Sequence, residues 1–238
     1  MLIKDERLAA QIYNKGKTGT PKEKGYLLLK PEEAVYSDYR KDIELKEEHK
    51  KKFVENNDRN IIYHDLKERG LIVKTDDLGL RVYDRGTDVK GQASALVMPK
   101  AYNKIIDFND IFTDIDRELD RRTQIGIIDA ENDVVYYVID KIEWPETKLK
   151  DGVKQTINDE SVKELIDKGY QVNSGLKFGT HYRVYDYESK HAPWLIHVVE
   201  EGVSWLDIAR MVRVGHGVNK KIVLLYNKRW VCLDWIKP

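Results

Sequence analysis

The chain has 238 residues, with 41 basic and 41 acidic side chains, so its formal net charge is zero. This length allows one large domain or two small ones, and the neutral balance excludes binding of nucleic acid by bulk charge alone. The single cysteine, Cys232, excludes an internal disulfide and a cysteine-based zinc cluster. No apolar run approaches the roughly eighteen residues of a membrane span, so we expect a cytoplasmic protein with no membrane partner.

The charge is distributed unevenly along the chain. Residues 176–238 carry ten basic and six acidic side chains, a net of +4, so the preceding part of the chain carries a net of −4. The neutral sum therefore combines an acidic body with a basic C-terminal segment.

The first 68 residues predict a short N-terminal α/β subdomain with a connecting helix. Residues Leu8–Tyr13 are interpreted as a strand, and Gly25–Leu29 as a second strand. A helix begins at Pro31, with acidic residues in its first turn. The connecting helix runs from about Glu47 to Arg69 and ends before Gly70.

After Gly70 the chain repeats one order of elements: helix, three strands, helix, two strands. The repeat predicts a mixed α+β (α/β) fold with a duplicated small mixed-sheet domain. The first copy covers residues 69–145, a polar linker 146–157, and the second copy 158–238. In the second copy a helix is expected over residues 204–217, with Ser204 and Asp207 in the spacing of a capping box.

Residues found in only one copy are candidates for chemistry rather than folding. Both copies keep the tyrosine of the Arg-Val-Tyr motif, Tyr83 and Tyr185, but only the second has a histidine soon after it, His191. Lys220 aligns with Thr123 of the first copy. The second copy therefore contains a phenol, an imidazole and an ammonium group at these positions.

A tyrosine, a histidine and a lysine without an acidic cluster suit attack on a phosphodiester without a metal. In RNA the adjacent 2′-hydroxyl is the nucleophile, histidine suits the general acid, and lysine stabilises charge on the phosphorane. Each residue also has an ordinary structural explanation: Tyr185 as a half-buried strand residue, His191 as a solvated loop histidine, and Lys220 as an exposed lysine at a helix end. His181, four residues before Tyr185, remains an alternative acid.

Three segments of the second copy, Gly175–Tyr185, Val212–Lys221 and Asp234–Pro238, resemble the catalytic domain of the archaeal tRNA-splicing endonuclease family. The segment Tyr63–Gly70 resembles the helix that precedes that domain in the family. The resemblance extends over about residues 26–238 and is strongest after residue 168. It implies a lyase that cuts precursor tRNA at bulge–helix–bulge junctions and leaves 2′,3′-cyclic phosphate and 5′-hydroxyl ends.

The resemblance also implies roles for individual residues. Tyr185, His191 and Lys220 take the places of the base, the acid and the transition-state stabiliser. Arg213 and Trp235 take the places of the planar groups that clamp a flipped-out base. No cofactor and no metal are implied. The first copy resembles the non-catalytic subunit, with its acidic docking loop at Asp129, Glu131 and Asp133, and the fused layout implies a homodimer.

Two departures from the family leave alternatives open. Only residues 1–45 supply an N-terminal subdomain, and residues 146–168 are too few for a second one, which leaves the assembly open. The short loop between Tyr185 and His191 leaves the choice between His191 and His181 open. Two other functions are considered: a non-catalytic structural or RNA-binding subunit, and a metal-dependent nuclease of related fold, for which no convincing set of paired carboxylates is found.

Overall fold

The computed structural model describes residues 1–54, 57–84, 86–87, 89–117, 122–149, 152 and 154–238. The chain divides into two compact units. The first contains residues 1–101, 118–136 and 238, and the second contains residues 102–117 and 137–237. None of the helices in the described ranges is long and apolar enough to cross a membrane.

The first unit begins with a small antiparallel sheet and four helices. The strands β1 (Leu2–Ile3), β2 (Thr20–Pro21) and β3 (Leu27–Leu28) have the order β1-β3-β2. The helices are α1 (Glu6–Asn14), α2 (Pro31–Tyr39), α3 (Glu47–Val54) and α4 (Asn57–Glu68). The helix start at Pro31 is confirmed. The single connecting helix expected from about residue 47 to 69 is assigned as two helices, α3 and α4.

The predicted strand at Leu8–Tyr13 is wrong, because these residues form the middle of helix α1. Asp5 caps the helix, its carboxylate accepting a hydrogen bond from the Leu8 N–H at 2.9 Å. Ala9 and Ile12, three residues apart, are buried on one helical face against the small sheet. The capping residue and this spacing favour a helix over the alternation of a strand.

The rest of the first unit contains strands β4 (Ile72–Thr75), β5 (Leu80–Tyr83), β6 (Ala95–Ala101) and β7 (Arg122–Ile128). β4 and β6 each pair with β5 in antiparallel fashion, and β6 pairs with β7 in parallel. Strand β8 (Val134–Lys141) begins in the first unit and continues into the second.

The second unit repeats this pairing pattern. Its elements are α5 (Phe108–Arg117), α6 (Lys163–Asp167), β9 (Gln171–Ser174), β10 (Tyr182–Tyr185), β11 (Trp194–Val198), α7 (Trp205–Gly217), β12 (Lys221–Tyr226) and β13 (Arg229–Ile236). β9–β10 and β10–β11 are antiparallel, β11–β12 is parallel and β12–β13 is antiparallel. The mixed α+β fold and the repeated order of elements are confirmed.

The two compact units do not follow the two copies along the chain. Helix α5, which belongs to the first copy in sequence, lies in the second unit, where the Phe108 ring stacks on Tyr226 with centroids 5.0 Å apart. Asp116 of the same helix pairs with Arg229 at 3.2 Å. The domain boundaries 1–68, 69–145, 146–157 and 158–238 stay predictions.

Helix α7 begins with the predicted capping box. The Ser204 hydroxyl accepts from the Asp207 N–H, and the Asp207 carboxylate accepts from the Ser204 N–H at 3.0 Å. The helix buries Trp205, Ile208 and Val212. It connects the parallel strands β11 and β12, so its C-terminal end lies where β12 begins.

Candidate active site

Neighbouring strands of the second unit bring the three predicted catalytic residues to one edge of the sheet. In the antiparallel pair β10–β11, Val184 lies opposite Trp194, and in the parallel pair β11–β12, Trp194 lies opposite Lys221. The end of β10 therefore lies beside the beginnings of β11 and β12. At this edge stand the last residue of β10, the loop before β11 and the residue before β12: Tyr185, the loop containing His191, and Lys220.

Tyr185 lies on the face of β10 opposite the aromatic core. Tyr182 and Val184 belong to that core, and Arg183 and Tyr185 alternate with them and are half-buried. The Arg183 guanidinium lies over the Tyr185 ring, 5.9 Å from its centroid. Arg183 is not among the residues predicted for the site, although its spacing of two residues from Tyr185 indicates a position on the same face.

The backbone around Lys220 is fixed by the end of helix α7. The Lys220 N–H donates to the Gly215 carbonyl at 2.9 Å. A Cβ atom at Gly215 would lie 2.8 Å from the Lys220 carbonyl oxygen and 2.9 Å from Ile222, so the close approach requires glycine. The Lys220 ammonium donates to the carbonyl of Ala192, the residue after His191. This hydrogen bond ties the lysine to the loop that carries the histidine.

Lys220 lies in a cationic environment. Burial, followed by the nearby charges of Lys177 and Arg183, lowers the pKa of its ammonium group. The ammonium also lies 5.8 Å from the Phe178 ring centroid, and the Lys177 ammonium 4.8 Å from the same centroid. Such a concentration of positive charge beside a sheet edge suits an anionic ligand.

His191 is exposed and lies in a loop that is anchored at both ends. Near the start, the Asp186 carboxylate accepts a hydrogen bond from the Ser189 N–H at 2.7 Å. At the end, the Pro193 carbonyl accepts from the Lys221 N–H at 3.0 Å, next to the Ala192 carbonyl that accepts from Lys220. The imidazole is thus accessible while its loop is held at the start of β12.

The structure separates His181 from this edge. His181 precedes β10, whereas Tyr185 ends it, and four residues of extended strand span roughly 13 Å. The His181 ring lies against His197, with centroids 4.5 Å apart, and its Nδ1 accepts from the Val198 N–H at 3.1 Å. Burial, followed by His181, lowers the pKa of His197. His181 is therefore placed with His197 and not with the predicted catalytic residues.

The predicted base-clamping residues lie on α7 and β13. Trp235 is 41% exposed, and its ring lies on that of His216 with centroids 5.0 Å apart and an interplanar angle of 50°. Arg213 is exposed one helical turn before His216. Burial raises the pKa of Tyr137 and the Arg213 guanidinium opposes that rise, which places Arg213 near β8. His216 is therefore a planar neighbour of Trp235.

The predicted equivalence of Lys220 and Thr123 is wrong. In the first copy, Val82 of the repeated motif pairs with Ala95, and Ala95 pairs with Arg122. In the second copy, Val184 pairs with Trp194, and Trp194 pairs with Lys221. Arg122 is therefore the residue equivalent to Lys221. The position equivalent to Lys220 is therefore residue 121, an arginine that lies outside the described residues. A basic residue precedes this strand in both copies, so of the three catalytic candidates only the histidine is particular to the second copy.

The predicted acidic docking loop is the turn between β7 and β8. The Asp129 carboxylate accepts hydrogen bonds from the backbone N–H groups of Glu131 and Asp133, both at 2.9 Å. Asn132 has a positive φ of 67°, which asparagine tolerates in a tight turn. The turn is exposed, and these hydrogen bonds hold its backbone.

Within the described residues there is no group of three or more His, Cys, Asp or Glu side chains arranged to hold a metal ion. The titratable groups near the candidate site are instead predominantly the phenol, imidazole and cationic groups described above.

Sequence models of one family match both ends of the chain. The model described as "tRNA intron endonuclease, catalytic C-terminal domain" matches residues 160–234, the part that holds the candidate site. The model described as "tRNA intron endonuclease, N-terminal domain" matches residues 1–56. The class indicated by both is an RNA-cutting endonuclease.

Several curated proteins named tRNA-splicing endonuclease are similar to the chain. The one from Pyrococcus furiosus is 41% identical over 103 residues, covering 42% of this chain and 57% of that protein. The one from Thermococcus kodakarensis is 49% identical over 83 residues, covering 32% and 49%. In both comparisons the chain spans about half the length of the relative. The one from Thermoplasma volcanium is 27% identical over 250 residues, covering 84% of this chain and 82% of that protein. The chain belongs to the tRNA intron endonuclease family.

Proposed function

We propose that the chain is a tRNA-splicing endonuclease that cuts precursor tRNA at bulge–helix–bulge intron junctions without a metal ion. The 2′-hydroxyl next to the scissile bond attacks phosphorus, and the bond from phosphorus to the 5′-oxygen of the following nucleotide breaks. The products are a 2′,3′-cyclic phosphate and a 5′-hydroxyl. The observation that carries this proposal is the convergence of Tyr185, the His191 loop and Lys220 on one sheet edge.

Tyr185 is assigned as the base that removes the proton from the 2′-hydroxyl. A tyrosine acts as a base only with negative charge on its phenolic oxygen, and nearby positive charge stabilises that form. The Arg183 guanidinium, 5.9 Å from the ring centroid, supplies such a charge.

His191 is assigned as the acid that gives a proton to the departing 5′-oxygen. An exposed imidazole can reach a bound RNA strand, and histidine exchanges protons near neutral pH. Lys220 is assigned to the negative charge that accumulates on the phosphorane oxygens. Its hydrogen bond to the Ala192 carbonyl keeps this charge beside the histidine loop.

Arg213 and Trp235 are assigned to the binding of an unpaired base next to the cut. A base splayed out of a bulge stacks on aromatic and guanidinium planes. The exposed Trp235 ring, supported by His216, offers such a plane, and Arg213 lies one turn away on α7.

The direct test is cleavage of an intron-containing precursor tRNA in EDTA. We expect the wild-type chain to cut at both junctions and leave cyclic phosphate ends. His191→Ala should lower the single-turnover rate by about 100-fold or more, the usual contribution of a general acid. Cleavage that requires added magnesium would overturn the metal-free reaction.

His181→Ala is the matched control for this test. It removes an imidazole from the same unit, but at the opposite end of β10. We expect its cleavage rate to stay within about threefold of wild type. If His181→Ala were inactive and His191→Ala active, the assignment of the acid would be reversed. Tight RNA binding without cleavage by the wild-type chain would favour the non-catalytic subunit.

We further propose that the active form is a homodimer in which the acidic turn of one chain docks on basic residues of the other. The exposed carboxylates of the turn and the basic charge of segment 176–238 support this pairing. The triple variant Asp129→Ala/Glu131→Ala/Asp133→Ala should sediment as a monomer at concentrations where the wild type is a dimer. An unchanged sedimentation profile would remove the turn from the interface.

A further inference from the structure

A cavity of about 190 Å³ in the first unit lies far in sequence from the predicted catalytic residues. It is enclosed by the end of α1, the end of α2 and the last turn of α4. The charged side chains that line it are three cations and one carboxylate: Lys15, Arg40, Lys67 and Asp42. A small cavity with an excess of positive charge suits a compact anion.

Lys67 is the buried member of this group. Its exposure is only 8%, and its ammonium donates one hydrogen bond, to the Gly16 carbonyl at 2.7 Å. A Cβ at Gly16 would lie 2.8 Å from the ammonium nitrogen, so the lysine rests directly on the backbone there. In the described part of the chain no carboxylate pairs with Lys67, and two of its three donors have no hydrogen-bond acceptor.

The one carboxylate at the cavity already serves the other two cations. Asp42 is 2.7 Å from the Lys15 ammonium and 3.6 Å from the Arg40 guanidinium. Lys67 is left with a distant aromatic contact, the Tyr36 ring at 5.9 Å. A buried ammonium without a paired counter-charge is unfavourable, and a bound anion would supply that counter-charge.

The surrounding charges do not supply that compensation. Burial, followed by Lys74 and then Arg40, lowers the pKa of Lys67 to about 8, and only Glu33 opposes them. Lys15 on the rim adds positive charge, while Asp42 and Glu68 are engaged with Lys15 and with the Tyr36 hydroxyl, respectively.

We propose that this cavity is a phosphate-binding site in which Lys67 is the central ligand and Arg40 and Lys15 complete the charge. A phosphate has several acceptor oxygens for the free donors of Lys67, and its negative charge neutralises the excess of cations. The phosphate belongs either to the RNA backbone or to a free anion. The site lies outside the candidate active site and does not depend on the proposed reaction.

The test uses inorganic sulfate, which has the shape of phosphate and keeps two negative charges from about pH 6 to pH 9. Isothermal titration calorimetry on the intact chain should show one sulfate bound per chain. Lys67→Gln should weaken binding by about tenfold or more, and Lys67→Arg, which keeps the charge, should retain it. No binding by the wild type, or equal binding by Lys67→Gln, would overturn the proposal.

Lys74→Gln is the matched control. Lys74 is another partly buried lysine of the first unit that donates to backbone carbonyls, those of Lys17 and Gly19, but it does not line the cavity. Its affinity for sulfate should stay within about threefold of wild type. A loss as large as that of Lys67→Gln would mean that general charge and not the cavity binds the anion.

The pH dependence of sulfate affinity provides a second test, which uses the wild-type chain and so does not require any variant to fold. Lys67 binds the anion in its protonated form, so sulfate affinity should be highest below pH 8 and fall toward pH 9. A flat profile would overturn the role of Lys67. Competition by a precursor tRNA would identify the RNA backbone as the source of the phosphate, and binding of inorganic phosphate without such competition would identify a free anion.

Discussion

Replacement of Lys67 by methionine should change the stability of the chain in a pH-dependent way. The unfolded lysine has a pKa of 10.5, and burial lowers the pKa in the folded chain to about 8. Each unit of difference corresponds to about 1.4 kcal/mol, so the buried charge costs about 3 kcal/mol of folding free energy at neutral pH. Methionine has a similar length and removes the charge, at the loss of one hydrogen bond to Gly16 worth about 1 kcal/mol.

The sign follows from proton binding. Between pH 8 and pH 10.5 the unfolded chain holds more protons on Lys67 than the folded chain, so the wild type gains stability as the pH rises. Below pH 8 the full cost is present, and Lys67→Met should be more stable than wild type by about 2 kcal/mol. Well above pH 10.5 the cost is gone, and the variant should be less stable by about 1 kcal/mol.

Urea unfolding of both proteins, followed by far-UV circular dichroism at several pH values in buffers free of sulfate and phosphate, measures this difference. Groups that do not interact with Lys67 titrate equally in the two proteins and cancel. A difference that stays constant across the range would refute the buried, uncompensated charge. At the same sulfate concentration the wild type should be stabilised more than Lys67→Met at neutral pH, because the variant lacks the central charge and binds the anion more weakly.

Three further predictions concern the candidate active site. Gly215→Ala should cost about 1–3 kcal/mol in thermal unfolding and lower the cleavage rate, because the added methyl meets the Lys220 carbonyl 2.8 Å away; unchanged stability would contradict the close approach. Trp235→Ala should weaken precursor binding by about 1–3 kcal/mol in a filter-binding assay, and Trp235→Phe by less; equal affinities would remove the stacking role. Arg183→Met should lower kcat by about tenfold or more with little change in KM, because it removes the positive charge beside Tyr185. The matched variant in the first copy, Arg81→Met, should lower the free energy of unfolding by about 1 kcal/mol and leave kcat unchanged. Equal effects of the two variants on kcat would contradict a role of Arg183 beside Tyr185.

Much of the fold could be predicted because the elements have strong local signals. The capping box at Ser204 and the apolar face of the following helix define α7 without tertiary information. The repeat of the Arg-Val-Tyr motif indicated the duplication, and the matching strand register in both units confirms the repeated order. The strand prediction at Leu8–Tyr13 is wrong because this segment is short and largely apolar, and short apolar runs are compatible with both a strand and a helix.

The candidate site was harder to predict, because it depends on register and loop length. The loops of the two copies differ in length, so the sequence alone does not show which residue is equivalent to Lys220, and strand pairing identifies residue 121 and not Thr123. The tilted ring contact between His216 and Trp235 joins a helix end to a strand nineteen residues later, and no local pattern predicts it. The cavity around Lys67 brings together the ends of three helices, which sequence periodicity does not locate.

The two copies show how one strand position takes two roles. In the first copy, Arg81 of the repeated motif pairs with the Asp76 carboxylate at 2.5 Å. Burial raises the pKa of Asp76, but hydrogen bonds from the Leu78 N–H and from Arg81 outweigh it and lower the pKa. At the same register in the second copy, Arg183 lies over Tyr185, and its buried Nε has no hydrogen-bond partner in the described part of the chain. Since the strand pairing is the same, the fold does not require the carboxylate that neutralises the arginine. The zero net charge of the whole chain therefore conceals a local difference. In one copy this positive charge is neutralised in an ion pair, and in the other it stays beside the sheet edge that we propose as the RNA-cleaving site.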